Sequence, residues 1–339
     1  MEELGVALVG LGMVAGVHAA ALKEIPGARI VGAWSRSAET TAAFASTHAV
    51  RSYASYEELL ADPGVDVVDI CSPAAYHVDL GLRAAAAGKH VIVEKPISTT
   101  VEAAQRLIDG CRAAGRGLAV IFQYRFAPDS VKVKAAMEEG LLGAPILGDA
   151  YVKWYRSSEY YAAKPWRGTE AVEGGGALMN QAIHTIDLLQ WFMGGVASVS
   201  GLTRTSTHRI EAEDLGVAVV EFGNGAVGVI EGSTAVVPSY KERIELHGQR
   251  GTIVLEGASL KEWKVEGMSE ADYVKERVSY GATNSPAISP SNHRAQLEAT
   301  LAAFRQGVEP PVSGEEGLKA LRIVRAIYES AAKGVRIRL

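Results

Sequence analysis

The first third of the chain alternates short apolar runs with longer alanine-rich segments in which apolar residues recur at helical spacing. The apolar runs are rich in β-branched residues and have the length of strands; they are Val6–Val9, Ile30–Ala33, Val65–Ile70, His90–Val93 and Leu118–Phe122. Strands that are apolar on both faces and alternate with helices are typical of a parallel sheet with helices on both sides. The pattern therefore predicts an α/β, doubly wound domain over residues 1–123.

From residue 124 onward the pattern becomes one of successive strands, which is typical of a mostly antiparallel sheet. The predicted strands are Gly148–Tyr155, Val199–Thr205, Leu215–Phe222, Ala226–Ser233, Arg243–His247 and Thr252–Glu256. The predicted helices are Pro128–Glu139, Ala177–Met193, His293–Gln306 and Gly314–Lys333. Asn224-Gly225 predicts a hairpin turn between two of the strands. We therefore expect a second, α+β domain over residues 124–339.

Composition and charge narrow the range of functions. The 339 residues include 34 lysines and arginines against 39 aspartates and glutamates, which gives a formal net charge of −5. A mildly acidic protein without a run of basic residues is not expected to bind nucleic acid. The two cysteines, Cys71 and Cys111, form no CxxC pair, which argues against a disulfide scaffold or a cysteine-rich zinc site and favours the reducing cytoplasm.

The segment from Leu4 to Leu22 has no formal charge and resembles a signal peptide or a membrane helix in length. It follows two glutamates instead of basic residues, and it contains several glycines and His18. We therefore expect neither export nor a membrane span.

A glycine-rich loop directly follows the first predicted strand and opens a helix. Its sequence, Gly10-Leu11-Gly12-Met13-Val14-Ala15, matches the dinucleotide-binding pattern GxGxxG/A. In that pattern Gly10 permits a tight turn, Gly12 lets the backbone approach a pyrophosphate, and a small residue at 15 allows close helix packing. The sequence predicts cofactor contacts at Gly10, Gly12, Met13 and Val14; the alternative is a turn with a purely structural role.

The end of the second predicted strand bears on which dinucleotide is bound. An acidic residue at this position bonds the ribose hydroxyls of NAD, but the chain here reads Trp34-Ser35-Arg36-Ser37. A serine hydroxyl and a guanidinium suit a 2′-phosphate, so Ser35 and Arg36 favour NADP over NAD. In the alternative interpretation Arg36 stacks on adenine or lies in solvent.

The fifth predicted strand ends in Glu94-Lys95-Pro96. Ligands of open α/β sheets bind beyond the carboxyl ends of the strands, so Lys95 should lie near the nicotinamide. There it could take or give a hydroxyl proton while hydride moves. The alternative is a surface lysine paired with Glu94.

Several motifs together resemble the glucose-fructose oxidoreductase/inositol dehydrogenase (Gfo/Idh/MocA) family. They are Gly10-Leu11-Gly12, Cys71-Ser72-Pro73, Glu94-Lys95-Pro96 and the segment Gly174-Gly175-Gly176-Ala177-Leu178-Met179-Asn180-Gln181-Ala182-Ile183-His184. The resemblance extends over essentially the whole chain, and the combination of the EKP triplet with the GGG…H segment is specific.

The resemblance implies a Rossmann domain, a C-terminal domain with an open-faced sheet used in oligomerisation, and NAD(P)-linked oxidation or reduction of a sugar or cyclitol. It adds Ser72, Pro73, Glu94 and Lys95 to the predicted cofactor contacts. It also implies a cis Lys95–Pro96 bond that would aim the lysine amine at the substrate. A sheet with one uncovered face predicts a homodimer or homotetramer.

Asn180 and His184 are four residues apart on the predicted helix 177–193 and should share one face. His184 can move a proton near neutral pH, and Asn180 can bond a substrate hydroxyl or orient the histidine. The family often has aspartate at the position of Asn180, so we expect no carboxylate to take part here. An asparagine is a poor transition-metal ligand, and we expect no metal.

The loop before the glycine run concentrates aromatic and basic residues. Aromatic faces pack on sugar C–H surfaces and cations pair with carboxylates or phosphates, which predicts substrate contacts at Tyr155, Arg156, Trp166 and Arg167, with Arg125, Lys95, Asn180 and His184 also at the substrate. Packing or a subunit contact would equally explain the loop.

Three further residues have predicted positions. His293 resembles a family position near the substrate, Cys71 is expected to pack at a strand end, and His77 is expected near the first turn of a helix.

The sequence therefore predicts a cytoplasmic NAD(P)-dependent oxidoreductase acting on a secondary alcohol or ketone of a sugar, cyclitol or sugar derivative. Lys95 would move the proton, His184 would assist and Asn180 would orient the substrate. One alternative is a redox-neutral, NAD-dependent glycosidase on the same fold, against which the predicted NADP pocket counts. The other is a non-catalytic dinucleotide sensor, against which the presence of Lys95 and His184 counts.

Overall fold

The computed structural model describes residues 3–274 and 289–339. Its helices are α1 (Met13–Lys23), α2 (Ala38–His48), α3 (Tyr56–Ala61), α4 (His77–Ala86), α5 (Val101–Ala113), α6 (Pro128–Glu138), α7 (Ser158–Ala162), α8 (Glu170–Glu173), α9 (Ile183–Met193), α10 (Ser291–Gln306) and α11 (Gly314–Lys333). Its strands are β1 (Leu4–Val9), β2 (Ala28–Trp34), β3 (Arg51–Ser52), β4 (Val67–Ile70), β5 (His90–Val93), β6 (Leu118–Val120), β7 (Pro145–Lys153), β8 (Val196–Arg204), β9 (Leu215–Phe222), β10 (Val227–Ser233), β11 (Arg243–Gly248), β12 (Gly251–Glu256), β13 (Ser259–Val265) and β14 (Ile337–Arg338). Among the described residues, no helix combines the length and the apolar character needed to cross a bilayer.

The described residues form two compact units. The first takes in residues 3–123 and 289–318, and the second takes in residues 124–274 and 319–339. The sequence predicted a single division at residue 123, whereas in the structure a later segment returns to the first unit.

The first unit is built on a six-stranded sheet in the order β3-β2-β1-β4-β5-β6, and every pairing in it is parallel. The chain moves outward from β1 in one direction and then from β4 in the other, so the strand order reverses between β1 and β4. In a doubly wound sheet this reversal marks the ligand crevice, beyond the carboxyl ends of the strands. The predicted α/β fold is confirmed.

Local sequence signals explain where several helices of this unit begin. The side chains of Ser37, Ser55 and Thr100 accept backbone N–H bonds at the starts of α2, α3 and α5. Such caps satisfy N–H groups that have no partner inside the helix.

Helix α10 completes the core of the first unit. Leu297, Leu301 and Phe304 are buried with residues of β1 and α1 in one apolar cluster. Gln296 donates to the carbonyl of Val120 at 2.7 Å and accepts the N–H of Phe122 at 3.0 Å. The end of β6 and the residues just beyond it therefore receive two of their hydrogen bonds from a helix about 170 residues further on.

The second unit contains an eight-stranded sheet in the order β13-β12-β11-β7-β10-β9-β8-β14. The β7–β10 pairing is parallel and the other pairings are antiparallel. Buried residues such as Ile230 and Ile244 lie on one face, while exposed apolar residues lie on the other: Leu202, Val217, Val219 and Val227. The predicted open and mostly antiparallel sheet is confirmed, with one parallel pairing in its interior.

Among the described residues, three strands were not predicted from the sequence: β3, β13 and β14. Two of them are only two residues long. The third, β13, pairs with β12 across a register shift between Val254 and Leu255, which breaks the regular alternation of buried and exposed positions. The predicted helix 177–193 also differs, because residues Ala177–Ala182 form a π-helical turn before α9.

Candidate active site

In the first unit the glycine loop lies at the start of α1, at the carboxyl end of β1. Gly10 has φ +83°, and a Cβ there would lie 2.5 Å from the backbone nitrogen of Ser72, so the turn requires glycine. Gly12 caps α1, and apart from Gly12 itself and its two neighbours in the chain no described atom lies within 4 Å of the position that its Cβ would take. The backbone at the start of α1 is therefore open to a ligand, which fits the pyrophosphate of a dinucleotide.

Next to this loop, Ser35 and Arg36 follow β2. The Ser35 hydroxyl donates to the carbonyl of Ser37 at 3.0 Å, and the Arg36 guanidinium lies 4.3 Å from the centre of the Tyr76 ring. Neither residue is acidic, as the sequence indicated. Arg36 is exposed to solvent and stacks on an aromatic ring of the chain itself.

Lys95 directly follows β5, at the carboxyl end of the sheet. The Glu94 carboxylate accepts the backbone N–H of Lys95 at 3.0 Å, and the Lys95–Pro96 bond is cis, as the resemblance implied. The His77 ring lies between two loops, with Nε2 2.7 Å from the carbonyl of Ser72 and Nδ1 3.0 Å from that of Pro96. His77 is the first residue of α4, as expected, and it ties the loop after β4 to the loop after β5.

A buried group of ionisable side chains lies beneath this edge. His18 of α1 is 2.7 Å from Asp69 through Nδ1 and 3.1 Å from Glu94 through Nε2, and His18 and Asp69 are fully buried. Cys71 lies 3.6 Å from His18 Nδ1, and the His293 ring is centred 5.3 Å from the His18 ring. Cys71 thus packs at a strand end as expected, and His293 takes its place in this cluster of the first unit.

These contacts shift the pKa values in different directions. Burial opposes a charge on His18, but the nearby Asp69 carboxylate raises the pKa of His18 well above its usual value. Burial alone would raise the pKa of Glu94, yet the hydrogen bond and charge of His18 lower it to about 2. Burial together with the positive charge of His18 lowers the pKa of His293 to about 4, and burial raises the pKa of Cys71 to about 12. At neutral pH the cluster therefore combines a charged histidine, an ionised glutamate, a neutral histidine and a thiol.

In the second unit, Asn180 lies in the π-helical turn and His184 lies in the first turn of α9. A π turn holds more residues per turn than an α-helix, so the α-helical spacing rule that placed the two residues on one face does not hold there. His184 is buried, and its ring is centred 5.1 Å from the Tyr124 ring. π turns are frequent at functional sites, which is consistent with this position.

Asn180 has a carboxylate partner that the sequence analysis missed. Glu173, the last residue of α8, is buried; its Oε1 accepts Asn180 Nδ2 at 2.6 Å, and its Oε2 accepts the N–H of Gly168 at 2.5 Å. The sequence analysis did not name Glu173 as a partner of Asn180, and its expectation that no carboxylate takes part in the proton relay stays a prediction. The spacing of seven residues spans two irregular turns, so no helical or strand period in the sequence indicated this contact.

Arg125 is buried and forms a two-point ion pair with Asp187 of α9. Its Nε lies 2.8 Å from one carboxylate oxygen and its Nη2 lies 2.7 Å from the other. Breaking such a buried pair is costly. This placement does not support the predicted substrate contact at Arg125, because these donors face Asp187.

The aromatic and basic loop brings together three of its four predicted substrate residues. The Arg167 guanidinium lies 4.0 Å from the Tyr160 ring centre, the Arg156 guanidinium lies 5.4 Å from the same centre, and Trp166 is adjacent to Arg167. No carboxylate within residues 3–274 or 289–339 forms an ion pair with either arginine. Tyr155 is exposed and lies instead near His208, with ring centres 6.4 Å apart.

The residues missed from sequence were His18, Asp69 and Glu173. Asp69 lies in β4 near its carboxyl end, where the general rule for open sheets places ligands, so topology could have indicated it. His18 and Asp69 form one metal-capable group with Cys71, and His18 forms another with Glu94 and His293. The sequence analysis considered only Asn180 and His184 as a metal site.

Comparison with known proteins identifies the family. Residues 4–122 match the sequence model of an oxidoreductase family with an NAD-binding Rossmann fold, GFO_IDH_MocA, and residues 130–254 match the GFO/IDH/MocA C-terminal domain. The chain belongs to the GFO/IDH/MocA family. It is therefore an oxidoreductase with an NAD-binding Rossmann domain.

Three relatives of this family illustrate the likeness. D-apiose dehydrogenase of Rhizobium rhizogenes is 29% identical over 342 residues, covering 98% of this chain and 97% of that protein. Myo-inositol 2-dehydrogenase of Thermotoga maritima is 28% identical, covering 96% of this chain and 95% of that protein. The structure of the WlbA dehydrogenase from Bordetella pertussis, solved with NADH and UDP-GlcNAcA, is 33% identical, covers 100% of this chain and 99% of its own, and has a TM-score of 0.89.

Proposed function

We propose that this oxidoreductase transfers hydride between a nicotinamide dinucleotide and a secondary alcohol or ketone of a sugar, cyclitol or sugar derivative. The observation that carries the proposal is the position of Lys95, at the carboxyl end of β5 in the same sheet edge as the glycine loop. The named activities of the apiose and inositol dehydrogenases support the substrate class.

The bound dinucleotide would supply or accept the hydride at C4 of its nicotinamide. Gly10, Gly12, Met13 and Val14 would hold its pyrophosphate with backbone N–H groups at the start of α1. Ser72, Pro73 and Glu94, at the ends of β4 and β5, would line the nicotinamide half of the site.

Lys95 would take the hydroxyl proton when the substrate is oxidised and return it when the ketone is reduced. His184 would assist this proton movement, since imidazole titrates near neutrality. Glu173 accepts an N–H of Asn180, which fixes the orientation of that amide. The other end of the amide, Oδ1, would then accept a hydrogen bond from a substrate hydroxyl.

Arg156, Trp166 and Arg167 would contact the substrate, with Tyr155 at the exposed edge of the same loop. Two guanidinium groups around one tyrosine ring, without a carboxylate partner in the described residues, favour a substrate that carries a carboxylate or phosphate. The UDP-GlcNAcA bound by the WlbA dehydrogenase contains both kinds of group, which supports this class.

We further propose that the cofactor is NADP in preference to NAD, because Ser35 and Arg36 stand where an acidic residue would serve NAD. The NADH in the WlbA and levoglucosan dehydrogenase complexes counts against this preference. The exposed apolar face of the second unit's sheet supports a homodimer or homotetramer, and the two free cysteines support a cytoplasmic location.

The test is a fluorescence titration of cofactor-stripped protein with NADPH and NADH, repeated on Arg36→Ala. We expect NADPH to bind at least about tenfold more tightly, which corresponds to about 1.4 kcal/mol, and the substitution to remove that preference. The same protein is then assayed for reduced cofactor with myo-inositol, D-apiose and UDP-GlcNAcA. Tighter binding of NADH would contradict the NADP assignment, and failure to bind either dinucleotide would contradict the function itself.

A further inference from the structure

The backbone N–H of Lys95 is bonded to a buried group of charged side chains, two of which, His18 and Asp69, have no role in the proposed reaction. From α1 inward, His18 contacts Asp69 through one ring nitrogen and Glu94 through the other, and the second oxygen of Glu94 accepts the Lys95 N–H. We call His18, Asp69 and Glu94 the His18 bridge. The two contacts of His18 are buried, whereas the bond from the Lys95 N–H to Glu94 is partly buried.

The geometry decides how many protons the imidazole carries. A neutral histidine has one N–H and one lone pair, whereas an imidazolium has two N–H groups. Each ring nitrogen of His18 faces a carboxylate oxygen, at 2.7 and 3.1 Å, and an ionised carboxylate only accepts. A neutral His18 would place a lone pair against one of these carboxylates in a buried site, which is costly. Of the neighbouring groups, His293 and Cys71 are neutral at pH 7, whereas the charge of Lys95 acts on Glu94 and helps to lower its pKa.

We propose that His18 is a positioning residue: as an imidazolium it bridges Asp69 and Glu94, and it thereby fixes the carboxylate that holds the peptide N–H of Lys95. The role rests on the proposed function of Lys95, but the bridge itself does not. His18 also lies on the helix that the glycine loop opens, so the bridge joins the dinucleotide-binding helix to the backbone of the proton-transfer residue.

Removing the bridge has a specific local consequence. Without the imidazolium, Asp69 and Glu94 remain as two buried carboxylates with no cation between them, and one of them must take up a proton or turn away. If Glu94 does so, its bond to the Lys95 N–H is weakened while the rest of the strand pairing of β5 is unchanged. We therefore expect the loss of the bridge to weaken the hydrogen bond of the Lys95 N–H without unfolding the sheet around it.

Two isosteric variants separate the two halves of the bridge. The amide nitrogen of asparagine lies near the position of Nδ1, and that of glutamine lies near the position of Nε2, so His18→Asn keeps a donor towards Asp69 and His18→Gln keeps a donor towards Glu94. Each variant loses one hydrogen bond and the positive charge. If the role of His18 is purely structural, the two variants should protect the Lys95 amide from hydrogen exchange to a similar extent. If the bridge holds Glu94 in place, His18→Gln should keep that protection and His18→Asn should lose it.

The first measurement is residue-resolved amide hydrogen exchange of the full chain. We expect the Lys95 amide to exchange about tenfold faster or more in His18→Asn and within about threefold of wild type in His18→Gln. The second is nitrogen NMR of histidine-labelled wild type, in which His18 should show two protonated ring nitrogens at pH 8. With NADPH and UDP-GlcNAcA, the two variants should differ in kcat in the same order and bind NADPH about equally.

Equal Lys95 exchange in the two variants, or a singly protonated His18 at pH 8, would overturn the proposal. Because a histidine, a second histidine and a carboxylate could also hold a metal, stoichiometric zinc or iron in the purified protein would overturn it as well. The exchange and NMR results do not depend on turnover. A confirmed bridge in a protein that transfers no hydride would refute the proposed function alone.

Discussion

The residues with proposed proton-transfer and substrate roles are supported in different ways in the two units. In the first, Lys95 follows a regular strand, and the carboxylate that holds its N–H is itself held by groups on α1 and β4. In the second, Asn180 lies in a π-helical turn, and its carboxylate partner Glu173 ends a four-residue helix.

The two units therefore hold the residues of the proposed reaction differently: regular strands hold those of the first unit, and short helices and irregular turns hold those of the second. Strand ends of a parallel sheet are held by hydrogen bonds on both sides, so the groups there keep their spacing. Short helices and irregular turns carry fewer repeated bonds and vary more easily. We therefore expect the chemistry to depend most on the first unit and the choice of substrate to depend most on the second.

The largest expected effect is that of Lys95→Met, which removes the amine but keeps most of the stem. General acid–base groups contribute about 10²- to 10⁴-fold, so kcat should fall by roughly 10³-fold while the affinity for NADPH stays within about threefold. Steady-state kinetics and fluorescence titration measure the two. Lys23→Met, on the exposed end of α1, is the matched control and should behave as wild type. If Lys95→Met keeps most of its turnover, Lys95 does not transfer the proton, and the chemistry does not depend most on the first unit.

A smaller effect should follow from the dry environment of His293. The unfolded chain takes up a proton on this residue near pH 6.5, whereas the folded protein does so near pH 4. Between these values the unfolded state binds more protons, so stability rises with pH and falls by up to ~1.4 kcal/mol per unit as the solution is acidified. Urea unfolding at several pH values should show a flatter dependence for His293→Gln than for wild type.

The control for this measurement is His48→Gln, because His48 is more exposed and its pKa is lowered mainly by partial burial. His48→Gln should change the pH dependence of the free energy of unfolding less than His293→Gln does. If the two substitutions flatten it equally, the cluster around His18 is wetter than the structure indicates.

The smallest effect is expected for Glu173→Gln, which keeps the shape of the side chain and removes its charge. The bond to Asn180 is weakened by about 1.4 kcal/mol or less, so KM for the sugar should rise by up to about tenfold while kcat changes less. Glu170→Gln, at the exposed start of the same helix, is the control. A fall in kcat as large as that of Lys95→Met would show that the second unit shares the chemistry equally.

Regular periodicity made most of the fold predictable from the sequence. The runs at His90–Val93 and Leu215–Phe222 coincide with β5 and β9, because buried strands leave an unbroken or alternating apolar pattern. The pattern fails where the backbone leaves its regular period. The register shift between β12 and β13 breaks the alternating pattern, so β13 was not predicted. The π turn means that the α-helical spacing rule does not place Asn180 and His184 on one face.

The candidate site was predictable as far as it lies in contiguous motifs. Gly10, Gly12 and Lys95 stand in such motifs, and the structure places them at the expected edge of the sheet. Glu94 and His293 lie in one cluster although 198 other residues separate them in the chain. From sequence alone, a glutamate such as Glu173 is expected to be a charged residue at the surface, yet it bonds Asn180. Contacts of this kind follow from the packing of elements and leave no local periodic signal.

The return of α10 to the first unit has a consequence for biosynthesis. The ribosome delivers the chain from its N-terminus at about 5–20 residues per second. The dinucleotide-binding unit therefore waits, with the apolar patch beneath Leu297, Leu301 and Phe304 uncovered, until residue 306 has left the exit tunnel. A nascent chain stalled before this point should be a target for chaperones, and a gene truncated after β6 should yield an insoluble fragment.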